Sequence, residues 1–444
     1  MFTEPTVIIL GAGASLDYDF PLGDALVKNI INGLRTLKLD EIITGAPWAE
    51  KRKENDFGLH PYQALISYLW GSSHDNEENA AIQAYKQANF HTNLLKGLEA
   101  TIDQHRSIDA FLRENPGQQK IGKLYIALEI LRHLACKKSF QENNVDYNPK
   151  ISPSNESGWY GRLIQQIKKG ANSGDDLIKD QLTVITFNYD TSLEIYLESN
   201  FNKHSELFKG VDYRDYVKIL HVYGEVKFRP IVRGENNFRI FGRQVVESAE
   251  SIRITHEDDH NLKEIQDALY KAKDIYSFGF SFDSLNCERI KLEDALKFKC
   301  GNVCFYNHRN HPNVNLQLSK FRIPASNIVS YDKQIRQLID EGLFATPFLY
   351  SPSSLFGTDS EFIDRIQDIK NWKIQPTLHG LDYSDYLLKN GLIKGNAEDY
   401  AWIKKERISK SSEPYEQVYE YVINLKLKNT ISTQDGLCFA RKLT

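Results

Sequence analysis

The sequence predicts an α/β fold: a parallel sheet with helices on both faces, a helical insertion and a small C-terminal segment. Two observations predict it. The chain opens on Val7-Ile8-Ile9-Leu10, turns at Gly11-Ala12-Gly13-Ala14-Ser15, and continues with Leu22, Leu26, Ile30 and Leu34 spaced every four residues, as one face of a helix is. Beyond residue 180, short β-rich runs alternate with helical spacing. That is the pattern of a parallel sheet whose crossovers are helices.

The elements follow in order. Val7–Leu10 is an unbroken apolar run, as a strand buried on both faces is. The glycines behind it allow a sharp turn into a helix. Such a turn suits a phosphate, because backbone N–H groups and the helix dipole both favour negative charge there. The dinucleotide fingerprint places a third glycine where this chain has Leu16, and an acidic residue about 20 positions on. Asp40 is the candidate for that residue, although no β-type run leads into it. Without a ligand, the same glycines would close an ordinary βα turn.

Residues 38–80 are loop-rich, and a helical block runs from about 79 to 140 as an insertion after the first βα unit. Leu124, Ala127, Leu128 and Leu131 lie at helical spacing there, and Pro116-Gly117 splits the block. An exposed loop is expected over 141–158. Strands return at Thr183–Phe187, which runs into Asn188-Tyr189-Asp190 and a helix whose Thr191 and Glu194 fit a capping box. A strand over Val217–Gly224 carries His221 and Tyr223. A helix over Leu262–Ala272 precedes a strand Ile275–Phe280, and a helix over Arg289–Phe298 precedes a strand Val303–Tyr306. The expected architecture is Rossmann-like, with one domain over 1–340 and a C-terminal interaction segment over 345–444.

Composition narrows the class. The chain has 444 residues, 41% apolar and 26% charged, as an ordinary globular protein has. A formal net charge of −4 leaves no global footprint for nucleic acid, and Lys51-Arg52-Lys53 is a short solvated run. No apolar stretch approaches the roughly 18 residues of a membrane span. The N-terminus enters a strand at once, without a basic-then-apolar leader. Five scattered cysteines (Cys136, Cys287, Cys300, Cys304 and Cys438) fit reduced thiols. A cytoplasmic location is expected. No Cys-x-x-Cys pair exists to hold a structural zinc, so no metal is expected.

In open parallel sheets, ligands sit outside the carboxyl ends of the strands. Asn188 and Asp190, Gly279 and Ser281, and Asn307 fall at such ends, and His221 lies near Gly224. With Gly11–Ser15 they would ring one crevice. Each residue also has a local explanation. Asn188 or Asp190 can cap the next helix, Gly279 can make a tight bend, Asn307 can serve a turn, and His221 can be a hydrogen-bonded core histidine.

Taken in chain order, Gly-Ala-Gly-Ala-Ser, Thr-Phe-Asn-Tyr-Asp, a histidine near a glycine, Gly-Phe-Ser and a strand ending in asparagine resemble the sirtuin-like NAD-consuming domains. The likeness covers residues 5–310. It is strongest to the divergent bacterial branch of anti-phage defence effectors, with a similarity to AbiH abortive-infection proteins. It implies an NAD glycohydrolase with NAD as substrate, its diphosphate on Gly11, Ala12, Gly13 and Ser15. Asn188 would hold the nicotinamide ribose or the attacking water, and Asp190 would face the nicotinamide amide. Gly279 and Ser281 would line the adenosine ribose, and Asn307 would bond a hydroxyl of it.

The chain departs from the family at three points. It lacks the zinc cysteines of the deacylating members, and Asp19-Phe20-Pro21-Leu22-Gly23-Asp24 replaces their Gly-Ile-Pro-Asp-Phe-Arg stretch. Both changes disfavour a lysine deacylase. The family's basic histidine directly precedes a glycine, whereas Tyr223 stands there and His221 lies two residues earlier. Strand alternation would aim both into one crevice, and His221 has the pKa suited to a base near neutrality. A non-catalytic NAD or ADP-ribose sensor is the competing reading. The resemblance further implies control by a homo-oligomer or a partner: a HerA-type ATPase, an Argonaute-like guide protein or a nucleotide-sensing subunit. Two further features stand apart from these motifs. His105 and Asp109 lie on a helix placed to roof the pocket, with Asp109 otherwise a cap or ion-pair residue. The aromatic stretch Tyr400 to Tyr421 has no basic stripe, which fits core or a protein interface rather than base stacking.

Overall fold

The computed structural model describes residues 2–36, 65, 89–100 and 108–135, most of 146–345, and strands at 349–350, 400–406, 418–424 and 441–443. Five strands of the main sheet fall where the sequence places them: β1 (Thr6–Leu10), β2 (Leu182–Thr186), β3 (Val217–His221), β4 (Asp274–Phe278) and β5 (Gly301–Tyr306). A short β6 (Ile328–Val329) follows. Their order across the sheet is β3-β2-β1-β4-β5-β6. β1 pairs in parallel with β2 and β4, β2 with β3, and β5 with β6. Helices cover both faces, so the architecture is Rossmann-like.

This order explains the residues chosen for the strands. Every side chain of β1 is buried, because its strand is hydrogen-bonded on both edges and covered on both faces. β3 is at the edge, and its Lys218 is exposed and pairs with Glu264 at 2.5 Å. The chain builds outward from β1 through β2 to β3, then crosses back to place β4 on the other side of β1. The reversal of strand order falls between β1 and β4, and open α/β sheets bind ligands at the carboxyl ends of strands at such a point.

The described helices, in chain order, are α1 (Gly23–Thr36), α2 (residues 89–100), α3 (Ile108–Glu114), α4 (Gln119–Leu134), α5 (Trp159–Lys168), α6 (Ser192–Asn200), α7 (Asn237–Ser251), α8 (Leu262–Lys271), α9 (Ser284–Arg289), α10 (Leu292–Lys297), α11 (Pro312–Lys320) and α12 (Ile335–Asp340). Leu26, Ile30 and Leu34 are buried along α1, whereas Leu22 precedes it and is exposed. The break at Pro116-Gly117 is a single 3-10 turn between α3 and α4. Leu124, Ala127, Leu128 and Leu131 line the buried side of α4.

Some expectations are corrected. The helix expected over Arg289–Phe298 is the shorter α10, and Arg289 instead ends a separate helix, α9, because Lys291 between them takes a left-handed φ of 54° that no helix interior accommodates. α5 and α7 occupy stretches to which the sequence reading assigned no element. The capping box at Thr191 does not form. The Thr191 hydroxyl donates to the Val226 carbonyl instead, and Asp190 accepts from the Ser192 amide at the start of α6. Asp40, His105, the basic run 51–53 and most of 141–158 lie outside the described residues.

Two compact units are present. The first comprises residues 1–291, 304–317 and 328–346, and the second 292–303, 318–327 and 347–444. In the second, β7 (Leu349–Tyr350) pairs antiparallel with Gly301-Asn302, and β8 (Tyr400–Glu406), β9 (Val418–Asn424) and β10 (Arg441–Leu443) form an antiparallel sheet in the order β10-β9-β8. No described helix is long and apolar enough to cross a membrane.

Candidate functional site

The turn after β1 is pressed against the end of β4. Gly11 N–H donates to the Phe278 carbonyl and Gly13 N–H to the Gly279 carbonyl, at 3.0 and 3.1 Å. A Cβ on Gly11 would sit 2.4 Å from the Gly279 oxygen, and one on Gly13 2.8 Å from the Gly279 Cα. Gly279 has φ +60°, and a Cβ there would lie 2.2 Å from the Ala14 nitrogen. Three glycines therefore let two backbones meet side by side. Their amides are largely occupied, since Ala14 N–H also donates to the Gly11 carbonyl. The turn then enters a 3-10 helix (Ala12–Tyr18), and α1 starts only at Gly23. Leu16, in the place of the third fingerprint glycine, is exposed.

Just past the turn, side chains from the segments that follow β1 and β2 converge. Ser15 Oγ donates to Asp190 Oδ2 at 3.1 Å, and Asn188 Nδ2 donates to Ser15 Oγ at 2.9 Å. Ser192 donates to the other Asp190 oxygen through both its amide and its hydroxyl. Tyr160 of α5 lies 2.7 Å from the Ser192 hydroxyl. A hydroxyl has one proton to give. Ser192 spends its proton on Asp190, so Tyr160 is the donor to Ser192. Ser15 spends its own on Asp190, so it accepts from Asn188. The buried chain thus runs Tyr160 to Ser192 to Asp190 from one side, and Asn188 to Ser15 to Asp190 from the other. Burial pushes the Asp190 carboxyl up, and the donors from Ser192 and Ser15 oppose this.

That directionality fixes the Asn188 amide. Its nitrogen faces Ser15, and among the described residues its Oδ1 accepts from no donor. The frame behind it is rigid. Trp159 Nε1 donates to the Ala14 carbonyl at 2.8 Å, and the Tyr18 and Tyr160 rings stack with centroids 3.8 Å apart. Tyr160 N–H donates to the Tyr18 hydroxyl.

His221 ends β3 beneath this segment. Its Nδ1 lies 3.0 Å from the Asn188 carbonyl oxygen and its Nε2 2.6 Å from Glu194 Oε1. Both neighbours are acceptors, and only an imidazolium has a proton for each. Burial works against that charge, and the Glu194 carboxylate overrides it, raising His221 to about 9. This is the arrangement of a fixed cation rather than of a base awaiting a proton. Glu225 completes a cluster whose three ligand atoms lie within 4.8 Å of one another. Two ligands on one zinc ion stay about 3.3 Å apart, given metal–ligand bonds near 2 Å in a tetrahedron. The 2.6 Å between His221 and Glu194 is instead a hydrogen-bond length.

Other predicted residues go elsewhere. β3 stops at His221 and the chain bends at 222–223, so strand alternation does not carry Tyr223 beside His221. The Tyr223 hydroxyl donates to Asn286, and its ring packs on Phe187 and under the Arg289 guanidinium. Ser281 is exposed. Asn307 is buried and spent on its own turn: its amide donates to the His311 carbonyl and to Asn315, and its oxygen accepts from His311 N–H. Asp109 of α3 is half-buried and accepts from the Tyr189 hydroxyl, which ties the helical block to the Asn188–Asp190 segment. Burial pushes its carboxyl up, and the tyrosine opposes this.

The sequence reading missed Glu194, Tyr160, Ser192 and Glu225. Only Glu194 left a signal, which its spacing from Thr191 disguised as a cap. Compared with known proteins, the chain matches no protein-family model and no curated protein.

Proposed function

We propose that the chain is a sirtuin-like NAD glycohydrolase that cleaves NAD to nicotinamide and ADP-ribose. One observation supports this most: Asn188 stands at the carboxyl end of β2, its nitrogen anchored on Ser15 and its Oδ1 unengaged among the described residues. A fixed acceptor of this kind suits a ribose hydroxyl or a water, which it can orient but not deprotonate. In the reaction the C1′–nitrogen bond breaks, nicotinamide leaves with the electron pair, and water oxygen bonds C1′ while losing a proton. The leaving nitrogen sheds a positive charge, so the main demand on the protein is to steady a ribose cation and align one nucleophile. The buried Asp190, held by Ser15 and Ser192, supplies negative potential beside that position.

In this reading the diphosphate lies along Gly11–Ser15 at the crevice between β1 and β4. His221 anchors the Asn188 backbone. Control by a homo-oligomer or a HerA-type partner belongs to the same proposal, since unrestrained loss of NAD would arrest the host cell. A second reading, an NAD or ADP-ribose sensor without turnover, is favoured by the engagement of both His221 nitrogens.

Nicotinamide release from NAD, with etheno-NAD as a fluorescent reporter, separates the two. Turnover in the wild type, lost by roughly 100-fold or more in a folded Asn188→Ala variant, supports the hydrolase. Saturable binding without release supports the sensor. Full activity in Asn188→Ala, with a loss of about 1 kcal/mol in stability, would reduce Asn188 to a structural residue and remove the main support.

A further inference from the structure

We infer that Glu194 is a positioning residue: its carboxylate holds His221 in the doubly protonated form that grips the backbone carbonyl of Asn188. The inference rests on the proposal that Asn188 meets the substrate.

The geometry demands two protons on one ring. His221 lies between two acceptors in fixed positions, the Asn188 carbonyl on the strand-end segment and the Glu194 carboxylate on α6. A neutral imidazole would place a lone pair against one of them. Loss of the Nε2 proton sets it against a carboxylate, and loss of the Nδ1 proton releases Asn188. Because the carboxylate keeps one proton on Nε2, only the doubly protonated ring also donates to the carbonyl.

The surroundings agree. His221 is buried, with side-chain exposure of 7% against 20% for Glu194, so water cannot replace either partner fully. The other charged or titratable groups facing the pair are Glu225, itself paired with Lys227, and Asp190, Tyr160 and Tyr213 on the far side of Glu194. None of them donates to or accepts from the imidazole, so the hydrogen bond from Nε2 belongs to Glu194 alone. The backbone around the cluster is pinned as well: Val226 N–H donates to the Tyr189 carbonyl at 2.7 Å, which ties the chain beyond β3 to the residue following Asn188.

Glu194→Gln tests this, because glutamine removes the charge and its amide can donate to a neutral Nε2 as readily as accept from a protonated one. His221 then falls from about 9 to its ordinary value near 6.5 or below, since burial still opposes the charge. At pH 8 the protonated fraction drops roughly 30-fold or more. In the wild type, nicotinamide release is expected to fall as pH rises through about 9, where Nδ1 gives up its proton while Nε2 keeps its own on Glu194. In Glu194→Gln the neutral ring can keep its proton on Nδ1 and hold the Asn188 carbonyl, so that alkaline loss is expected to disappear. Glu194→Asp, which keeps the charge, is expected to retain the loss.

Imidazole titration by NMR, with ¹⁵N-labelled histidine and His221→Asn for assignment, reads the same chemistry without turnover. A wild-type midpoint near 9 that falls in Glu194→Gln supports the inference. A wild-type midpoint near 6.5 overturns it, as does an alkaline loss of turnover that is the same in Glu194→Gln as in the wild type. If the wild type releases no nicotinamide, the hydrolase reading fails while the titration still decides the role of Glu194.

Discussion

Asn188 and Asn307 occupy the same kind of position, each a buried asparagine within two residues of the end of a parallel strand. Their surroundings differ. The side chain of Asn188 reaches Ser15, 173 residues away, and the backbone carbonyl of Asn188 meets His221. All the side-chain bonds of Asn307 go to residues within eight positions of it, closing the turn that leads into α11. One asparagine assembles distant parts of the chain and leaves an acceptor over. The other completes a turn. A polar residue at a strand end is thus a site only when its partners come from other strands and leave some of its hydrogen-bonding capacity unused.

The largest test of this contrast is at the glycine contact that holds the β1 turn in reach of β2. Gly279→Ala puts a Cβ into the Ala14 nitrogen at a left-handed φ, and is expected to cost on the order of 4 kcal/mol from overpacking and backbone strain together. Chemical denaturation would show it. The same collision makes Gly13→Val a test of folding rather than of phosphate binding.

The buried histidines draw the contrast in charge. His221 has a carboxylate and stays protonated, whereas His91 on α2 has the Tyr125 hydroxyl at 2.7 Å and is lowered by burial to about 4. The unfolded chain protonates His91 near 6.5, and the folded protein does not until about pH 4. Its neutral form therefore leaves stability intact above pH 6.5, and stability declines by about 3 kcal/mol as pH falls toward 4. Denaturation midpoints across that range should flatten in His91→Gln.

Tyr189→Phe removes the tyrosine donor to half-buried Asp109. It is expected to cost about 1.5 kcal/mol by removing one of two hydrogen bonds to that carboxyl, which keeps its own backbone donor, and to lower nicotinamide release because the change falls beside Asn188. Asn307→Ala is the smallest effect, about 1 kcal/mol by thermal melting, with NAD affinity and turnover unchanged. A loss of affinity there would erase the distinction between the two strand ends.

The strands were legible because central parallel strands are rich in apolar and β-branched residues, so Val7–Leu10 stands out as an unbroken apolar run and Thr183–Phe187 as a β-rich one. Their ends drift by a residue or two, as at β2, which stops at Thr186. The meeting of Gly11–Ser15 with Asn188 and Asp190 was legible too, since strand ends of one sheet share an edge. What stayed hidden depends on side-chain direction across elements. Nothing in the sequence relates Glu194 to His221, on a helix and a strand that meet only in the fold. Tyr160 and Ser192 were hidden for the same reason. Tyr223 was misplaced because alternation holds only while the strand continues, and it ends at His221.

The contact between Gly13 and Gly279 also has a consequence for synthesis. Ser15, Asn188 and Gly279 come from the beginning, middle and later part of the chain, with the helical block between the first two. Chains emerge N-terminus first, at roughly 5–20 residues per second. A nascent polypeptide that has cleared β2 has Asn188 but not the β4 edge that holds the Gly11–Ser15 turn. The site cannot close until residue 279 has left the ribosome, so incomplete products of translation would carry no working crevice.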